Sequence, residues 1–214
     1  PIVHPLEQRK YIMCDAGRGK YRLGLRTYII GASCTSQSGF EPLINIMNSV
    51  TESTQETSQF GILEGGNVLY VAKKDSPQAI RMISWVGTKL PANATAIGKA
   101  LLSDLTDEQI RDLYRDGLPK LTEHTISDMD LLLGQIEQIR CGEIATETEE
   151  STPQMRCFAV PIRQNGRVDA ALSISVPIFR YTDEKRVQIC QCLREAQQQI
   201  EQLVGLYNFE LIKP

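Results

Sequence analysis

Apolar positions along the chain change period several times, and each change marks an element. Residues 10–13 and 20–23 are short β-prone runs around the charged, glycine-rich stretch Asp15-Ala16-Gly17-Arg18-Gly19, which predicts a hairpin. Residues 24–37, with Leu25, Tyr28, Ile29 and Ala32 on one stripe, predict a connecting helix. Leu43, Ile46, Met47 and Val50 give a helical period over residues 42–53. Residues 57–63 and 68–73 alternate as strands around Glu64-Gly65-Gly66-Asn67, a strong turn, and the β-branched and aromatic bias of residues 79–86 predicts a further strand.

Thr106 with Gln109 predicts a capping box that opens a helix ending near Gly117, and Ser127 is the expected cap of the next helix, which stops at Gly142. Residues 157–162 and 168–176 flank Gln164-Asn165-Gly166-Arg167, and the Asn-Gly pair favours a type I′ hairpin turn. Thr182-Asp183-Glu184 then starts a long terminal helix with two acids in its positive first turn. Helix, strands, helices, strands, helix is an α+β order: an antiparallel β-sheet flanked by helices, preceded by a β-hairpin and a linker helix. The expected divisions are residues 1–23, 24–38 and 39–214.

Composition adds little beyond a core of ordinary size: 42% of the 214 residues are hydrophobic and 23% charged. No apolar run reaches the roughly 18 residues of a membrane-spanning helix, and residues 1–10 lack the apolar stretch of a secretory signal. A cytoplasmic protein with no membrane partner is expected. Charge is more telling. The net charge is −3, yet Arg9, Lys10, Arg18, Lys20, Arg22 and Arg26 cluster near one end, so any contact with DNA is expected there. Six cysteines form no CxxC pair, and His4 and His124 are the only histidines, so no metal and no cofactor are expected.

Four features could carry chemistry. In Leu90-Pro91-Ala92-Asn93-Ala94-Thr95-Ala96-Ile97-Gly98-Lys99, small residues lead into a helix whose free N–H groups could hold an anion. The plainer reading is a helix start with a packing glycine, and the P-loop spacing is not met. Glu147-Thr148-Glu149-Glu150 reads most simply as a solvated acidic loop. Cys157 opens an apolar strand, where a lone cysteine is most often a small core residue; a Cys157–His124 nucleophile pair would lack an orienting group. Finally, Ala171, Ser173 and Ser175 share one face of a strand whose other face is Leu172, Ile174 and Val176. Solvent exposure and a polar pocket explain those serines equally well.

Taken in order, "LPANATAIGKALLS", "GEIATETEE" ten residues ahead of a cysteine, "MRCFAVPI", and "ALSISVP" followed by "FRYTDEK" resemble the effector domain of the IclR family of bacterial transcription regulators. "LEQRKYIMCDAGRGKYRLGLR" is similar to the end of the recognition helix, the wing and the linker of that family's winged helix-turn-helix. The resemblance implies a GAF-like domain, not an enzyme, with major-groove helices lying outside these residues. Carried across by position, ligand contacts fall on Ala96, Ile97, Glu147, Cys157, Ser173 and Ser175, an apolar wall on Met82 and Leu90, and wing contacts with DNA on Arg18 and Lys20. Many members carry aspartates where this chain has Glu147 and Thr148, and a glycine where it has Val176. The implied partners are a small carboxylate effector, operator DNA in the full-length repressor or activator, and a homodimer or homotetramer. The rival readings are an enzyme acting on a small acid through Cys157 or Glu147, and a dimerisation module without ligand.

Overall fold

The computed structural model describes residues 2–15, 17, 19–37 and 40–207, with side-chain surroundings for all of these but 32–37 and 205–207. The chain divides into two compact units, residues 1–43 and 44–214. In the first, α1 (Val3–Gln8) leads to a hairpin of β1 (Ile12–Asp15) and β2 (Lys20–Leu23), paired from Ile12–Leu23 to Asp15–Lys20. Gly24 closes the hairpin by donating its N–H to the Tyr11 carbonyl at 2.7 Å; a Cβ there would lie 2.1 Å from the Lys10 carbonyl oxygen, so only glycine fits. Lys20 is exposed on β2, while Arg18 lies outside the described residues. The expected connecting helix is α2 (Leu25–Gln37).

The second unit is built on a six-stranded antiparallel sheet. Helix α3 (Phe40–Thr54) runs into β3 (Thr57–Glu64) and β4 (Asn67–Lys74); β5 (Lys89–Pro91), a 3₁₀ turn and α4 (Ala96–Leu102) follow. Then come α5 (Asp107–Leu113), α6 (Met129–Arg140), β6 (Ala145–Thr148), β7 (Met155–Gln164), β8 (Arg167–Pro177) and α7 (Asp183–Tyr207). The strand order is β5-β4-β3-β8-β7-β6. Both tight hairpins have the left-handed pairs that a type I′ turn requires: Gly65 and Gly66 at φ 52° and 81°, Asn165 and Gly166 at 52° and 82°. Among the described residues no helix is long and apolar enough to cross a membrane.

Helix α4 packs on β7, β8, β6 and β3, and with α6 it forms a core that includes Ile97, Leu101, Leu132 and Ile136 against Tyr70, Cys157, Ala159 and Ala171. Helix α7 packs on β7 and β8. Helix α3 is tied to β3 by a Thr51–Ser58 hydroxyl pair at 2.8 Å and by the Ser58 hydroxyl donating to the Met47 carbonyl at 3.3 Å. Helices therefore cover both faces of the central strands. The alternation in β8 separates two buried environments rather than core from solvent, since Ala171, Ser173 and Ser175 are as buried as Leu172, Ile174 and Val176.

Three local expectations change. The Thr106–Gln109 capping box is present, but the following helix is capped by Asp128, not Ser127; the Asp128 carboxylate accepts from the N–H groups of Asp130 and Leu131. The acidic element is strand β6, with Ala145 and Glu147 buried and Thr146 and Thr148 exposed. Residues 79–86 are not a strand. There Met82 points inward, while Ile80, Ile83, Trp85 and Val86 are exposed. Side chains hold this segment in place of ladder bonds: Lys73 donates to the Ser84 carbonyl at 2.8 Å and Arg180 to that of Ile80 at 2.8 Å. Backbone pairing resumes at Gly87, whose N–H donates to the Tyr70 carbonyl at 2.7 Å, and Thr88, whose carbonyl accepts from the Tyr70 N–H at 3.1 Å. A β-branched composition serves an apolar surface segment as readily as a strand.

Candidate functional site

Four strands bring the polar residues of the sheet into one buried row. Cys157 on β7 pairs with Glu147 on β6 and with Ser175 on β8, and Ser175 in turn pairs with Thr57 on β3. One step along, Ala159, Ser173 and Gln59 are aligned. The Cys157 thiol and Ser175 hydroxyl are 3.3 Å apart, and Ser175 donates to the Gln59 side-chain oxygen at 3.1 Å. The Gln59 amide nitrogen then donates to the Ser84 hydroxyl at 2.6 Å, which draws the 75–88 segment over the row. Ser173 reaches the Gln59 carbonyl oxygen at a long 3.5 Å. Strand pairing thus makes one cluster from residues more than a hundred positions apart.

Helix α4 closes the cluster from above. Thr95 caps it by accepting the Gly98 N–H at 3.0 Å, and neither the Ala96 nor the Ile97 N–H meets an acceptor among the described residues. Gly98 is a packing glycine as well: a Cβ there would stand 2.2 Å from the Ala92 carbonyl oxygen. The two readings of this loop are therefore compatible, because close packing is what holds the free N–H pair in place. Met82 is buried within the covering segment, and Leu90 on β5 is half-buried against the α4 core.

Four residues of the site have no individual role in the sequence reading: Gln59 and Tyr70, and Lys99 and Glu150, which enter it only as members of the α4 loop and the acidic run. Lys99 is fully buried on α4, with its amine 2.5 Å from a Glu150 oxygen and 3.5 Å from the Thr146 carbonyl. Glu150 donates its backbone N–H to Glu147 at 2.8 Å, and the Ser151 hydroxyl donates to the other Glu147 oxygen at 3.1 Å. The ion pair and these two bonds fix Glu147 under the row. The Tyr70 hydroxyl makes no hydrogen bond among the described residues, although Tyr70 is only 4% exposed. Alternation could have flagged Thr57 and Gln59 as a polar pair on one face of β3. Nothing local distinguishes Lys99 from a surface lysine.

Burial disfavours charge on the titratable groups of the cluster. Burial is the main cause that raises the Glu147 carboxyl above 4.5, against hydrogen bonds from Cys157, Glu150 and Ser151 that lower it. Burial, with Glu147 beside it, pushes the Cys157 thiol well above 9.0 and the Tyr70 phenol above 10.0. Burial also lowers the Lys99 amine from 10.5, while Glu150 opposes the shift. The row therefore offers neutral hydroxyl, thiol and amide groups, suited to holding a polar ligand. A thiol held protonated is a poor nucleophile. His124 is half-exposed and faces Glu123 and Glu149 at 3.7 and 4.0 Å, away from any partnership with Cys157.

A raised carboxyl makes folding depend on pH in a definite sense. The folded state holds the Glu147 proton more tightly than the unfolded chain, so this contribution is complete below 4.5 and is lost as pH rises through the folded-state value. Glu147→Gln is expected to flatten that part of a plot of Tm against pH from 4 to 8. A variant with the wild-type slope would show that another group causes it.

Comparison with known proteins decides the family. Residues 40–202 match the model described as the C-terminal domain of the bacterial transcriptional regulator IclR. The chain belongs to the IclR family. The HTH-type transcriptional regulator KdgR of Escherichia coli (strain K12) is 30% identical over 203 residues, covering 93% of this chain and 77% of that protein. KdgR of Dickeya chrysanthemi is 29% identical over 202 residues, covering 93% of this chain and 66% of its own length. This chain thus spans just under two thirds of one relative and about three quarters of the other. Among solved structures, an IclR transcriptional regulator from Alicyclobacillus acidocaldarius superposes with a TM-score of 0.87 at 21% identity, covering 95% of this chain and 83% of that one. An IclR homologue from Microbacterium hydrocarbonoxydans, solved with 4-hydroxybenzoate, gives 0.79 at 23% identity, covering 94% and 82%. The second unit is an IclR-type effector domain of α+β fold, and its relatives are regulators rather than enzymes.

Proposed function

We propose that the buried row senses a small carboxylate, such as a keto, hydroxy or sugar acid, and that the domain regulates a DNA-binding unit accordingly. The observation that carries this reading is the meeting of two free N–H groups at the start of α4 with the buried polar side chains of β6, β7 and β8. In this reading the ligand carboxylate docks on the N–H groups of Ala96 and Ile97. Its hydroxyl or keto oxygens meet Ser173, Ser175, Cys157 and Glu147, with Met82 and Leu90 as the apolar wall. The 4-hydroxybenzoate of the Microbacterium homologue is itself a small hydroxylated carboxylate, which supports the class. Residues 1–23 are then the wing remnant with Arg18 and Lys20 on DNA, residues 24–38 the linker, and residues 39–214 the sensor of a cytoplasmic homodimer or homotetramer. A ligand changes DNA affinity only by binding two arrangements of the protein unequally.

The test is calorimetric titration of the chain with a panel of small hydroxy and keto acids. Ser173→Ala combined with Ser175→Ala is expected to weaken a hit by about 2–3 kcal/mol, one hydrogen bond being lost at each position. Unchanged affinity in the double variant would remove these serines from the site. An anion beside Glu147 raises its carboxyl further, so binding takes up a proton and weakens as pH rises. An affinity independent of pH would place the ligand away from Glu147.

A further inference from the structure

The opposite side of β7 faces a cleft of different chemistry. Neighbouring residues on a strand point to opposite faces, so Cys157 enters the buried row while Arg156 leaves it. Arg156 lines a cleft of about 560 Å³ between β6, β7, α6 and α7. Two more arginines, Arg186 and Arg194, enter it from α7 with Cys190 midway between them; a spacing of four residues puts all three on one helical stripe. Gln135 and Gln138 face them from α6, and Ile139 and Phe158 contribute apolar surface.

These charges are left unbalanced. None of Arg156, Arg186 and Arg194 has a carboxylate within 4.0 Å among the described residues; Arg194 instead donates to the Gly142 carbonyl and to Gln197, and the Arg156 Nε is buried without a partner. The Arg156 guanidinium is held against aromatic rings, 4.4 Å from the centre of Tyr181 and 5.5 Å from that of Phe158. Such stacking fixes its plane and leaves its N–H edge for an acceptor. Glu143 is the one acid lining the cleft, against three guanidinium groups in a chain whose net charge is −3. A concave, arginine-rich surface of this kind focuses field on an anion, and guanidinium forks match carboxylate and phosphate oxygens.

We propose that this cleft binds a small multivalent anion, a phosphate ester or a di- or tricarboxylate, at a site separate from the buried row. Arg186 and Arg194 grip its charged groups, Arg156 supplies a preoriented N–H edge, and the glutamines hold its neutral oxygens. Because β6 and β7 form one wall of both sites, occupancy of the cleft bears on the strands that carry Glu147 and Cys157.

The proposal is tested with the whole chain by calorimetric titration with pyrophosphate and with citrate, at constant ionic strength set by chloride. At least one probe is expected to bind saturably, and Arg186→Gln or Arg194→Gln to weaken it at least about tenfold, as the loss of a charge-assisted contact implies. Both positions are partly or fully exposed, so the variants leave the core intact. Binding is expected to survive in Ser173→Ala/Ser175→Ala, which separates this site from the carboxylate sensor. Preference for pyrophosphate or for citrate identifies which source of negative charge the cleft takes. No saturable binding of either probe at millimolar concentration would overturn the proposal. So would equal binding in the Arg186→Gln/Arg194→Gln double variant, or loss of binding in the serine variant.

Discussion

Replacing Glu150 by leucine is expected to destabilise the effector domain by about 4 kcal/mol, because it strands a buried ammonium group. The Lys99 side chain is 0% exposed, and without Glu150 its remaining contact is the Thr146 carbonyl at a long 3.5 Å. Removing both charges in Lys99→Met/Glu150→Leu should recover most of the loss, since a well-packed apolar pair replaces an ion pair at little cost. Urea unfolding of the two single variants and the double variant measures this coupling. A Glu150→Leu cost below about 1 kcal/mol, in the range of a surface pair, would show that water reaches the lysine.

Proton linkage gives the same variant a signature. The folded-state Lys99 amine already lies below 10.5, and it falls further once its carboxylate is gone. The unfolded chain then binds more protons over the interval up to 10.5, so the stability of Glu150→Leu should rise with pH across that window. Leucine keeps the backbone N–H that Glu150 donates to Glu147, so the variant should lose stability while the Glu147 carboxyl keeps that contact.

Arg180→Ala is expected to cost about 3 kcal/mol by the same mechanism at a second buried ion pair. Glu56 is 1% exposed, and both of its oxygens accept from Arg180, at 2.9 and 2.7 Å. Arg180 also donates to the Ile80 carbonyl, so its loss should free the segment that covers the row. Two measurements separate these effects. Adding Glu56→Leu to Arg180→Ala should restore stability, whereas protease cleavage near Ile80, absent in the wild type, should persist in the double variant. Equal protection in all variants would show that the Gln59–Ser84 and Lys73–Ser84 contacts hold the segment unaided.

Much of the fold was legible because its determinants are local. Asn165-Gly166 and Gly65-Gly66 specify tight hairpins through their own dihedral preferences, and Thr106 with Gln109 specifies a helix start through bonds spanning three residues. Apolar periods placed α3 and the strands because burial of one stripe leaves a regular trace. The failures were also local in cause. Residues 79–86 have the composition of a strand but are held by side-chain bonds from Lys73 and Arg180, and the N-cap falls one residue after Ser127, on Asp128.

The proposed ligand contacts were nameable from motif order alone, and tertiary structure decided what environment each one has. An alternating strand cannot say whether its polar face meets water; α4 and the 75–88 segment make Ser173 and Ser175 buried. An acidic run looks solvated until β6 joins the sheet edge and turns Glu147 inward. Lys99 and Glu150 are 51 residues apart, and their pairing exists only because α4 lies over β6. Arg156, Arg186 and Arg194 likewise become one cleft only when α7 packs against β7. The sequence by itself determined elements, turns and family, because those depend on neighbouring residues and their order. Burial, and with it charge state and binding chemistry, depends on what a distant segment places on top, and only the folded structure decided it.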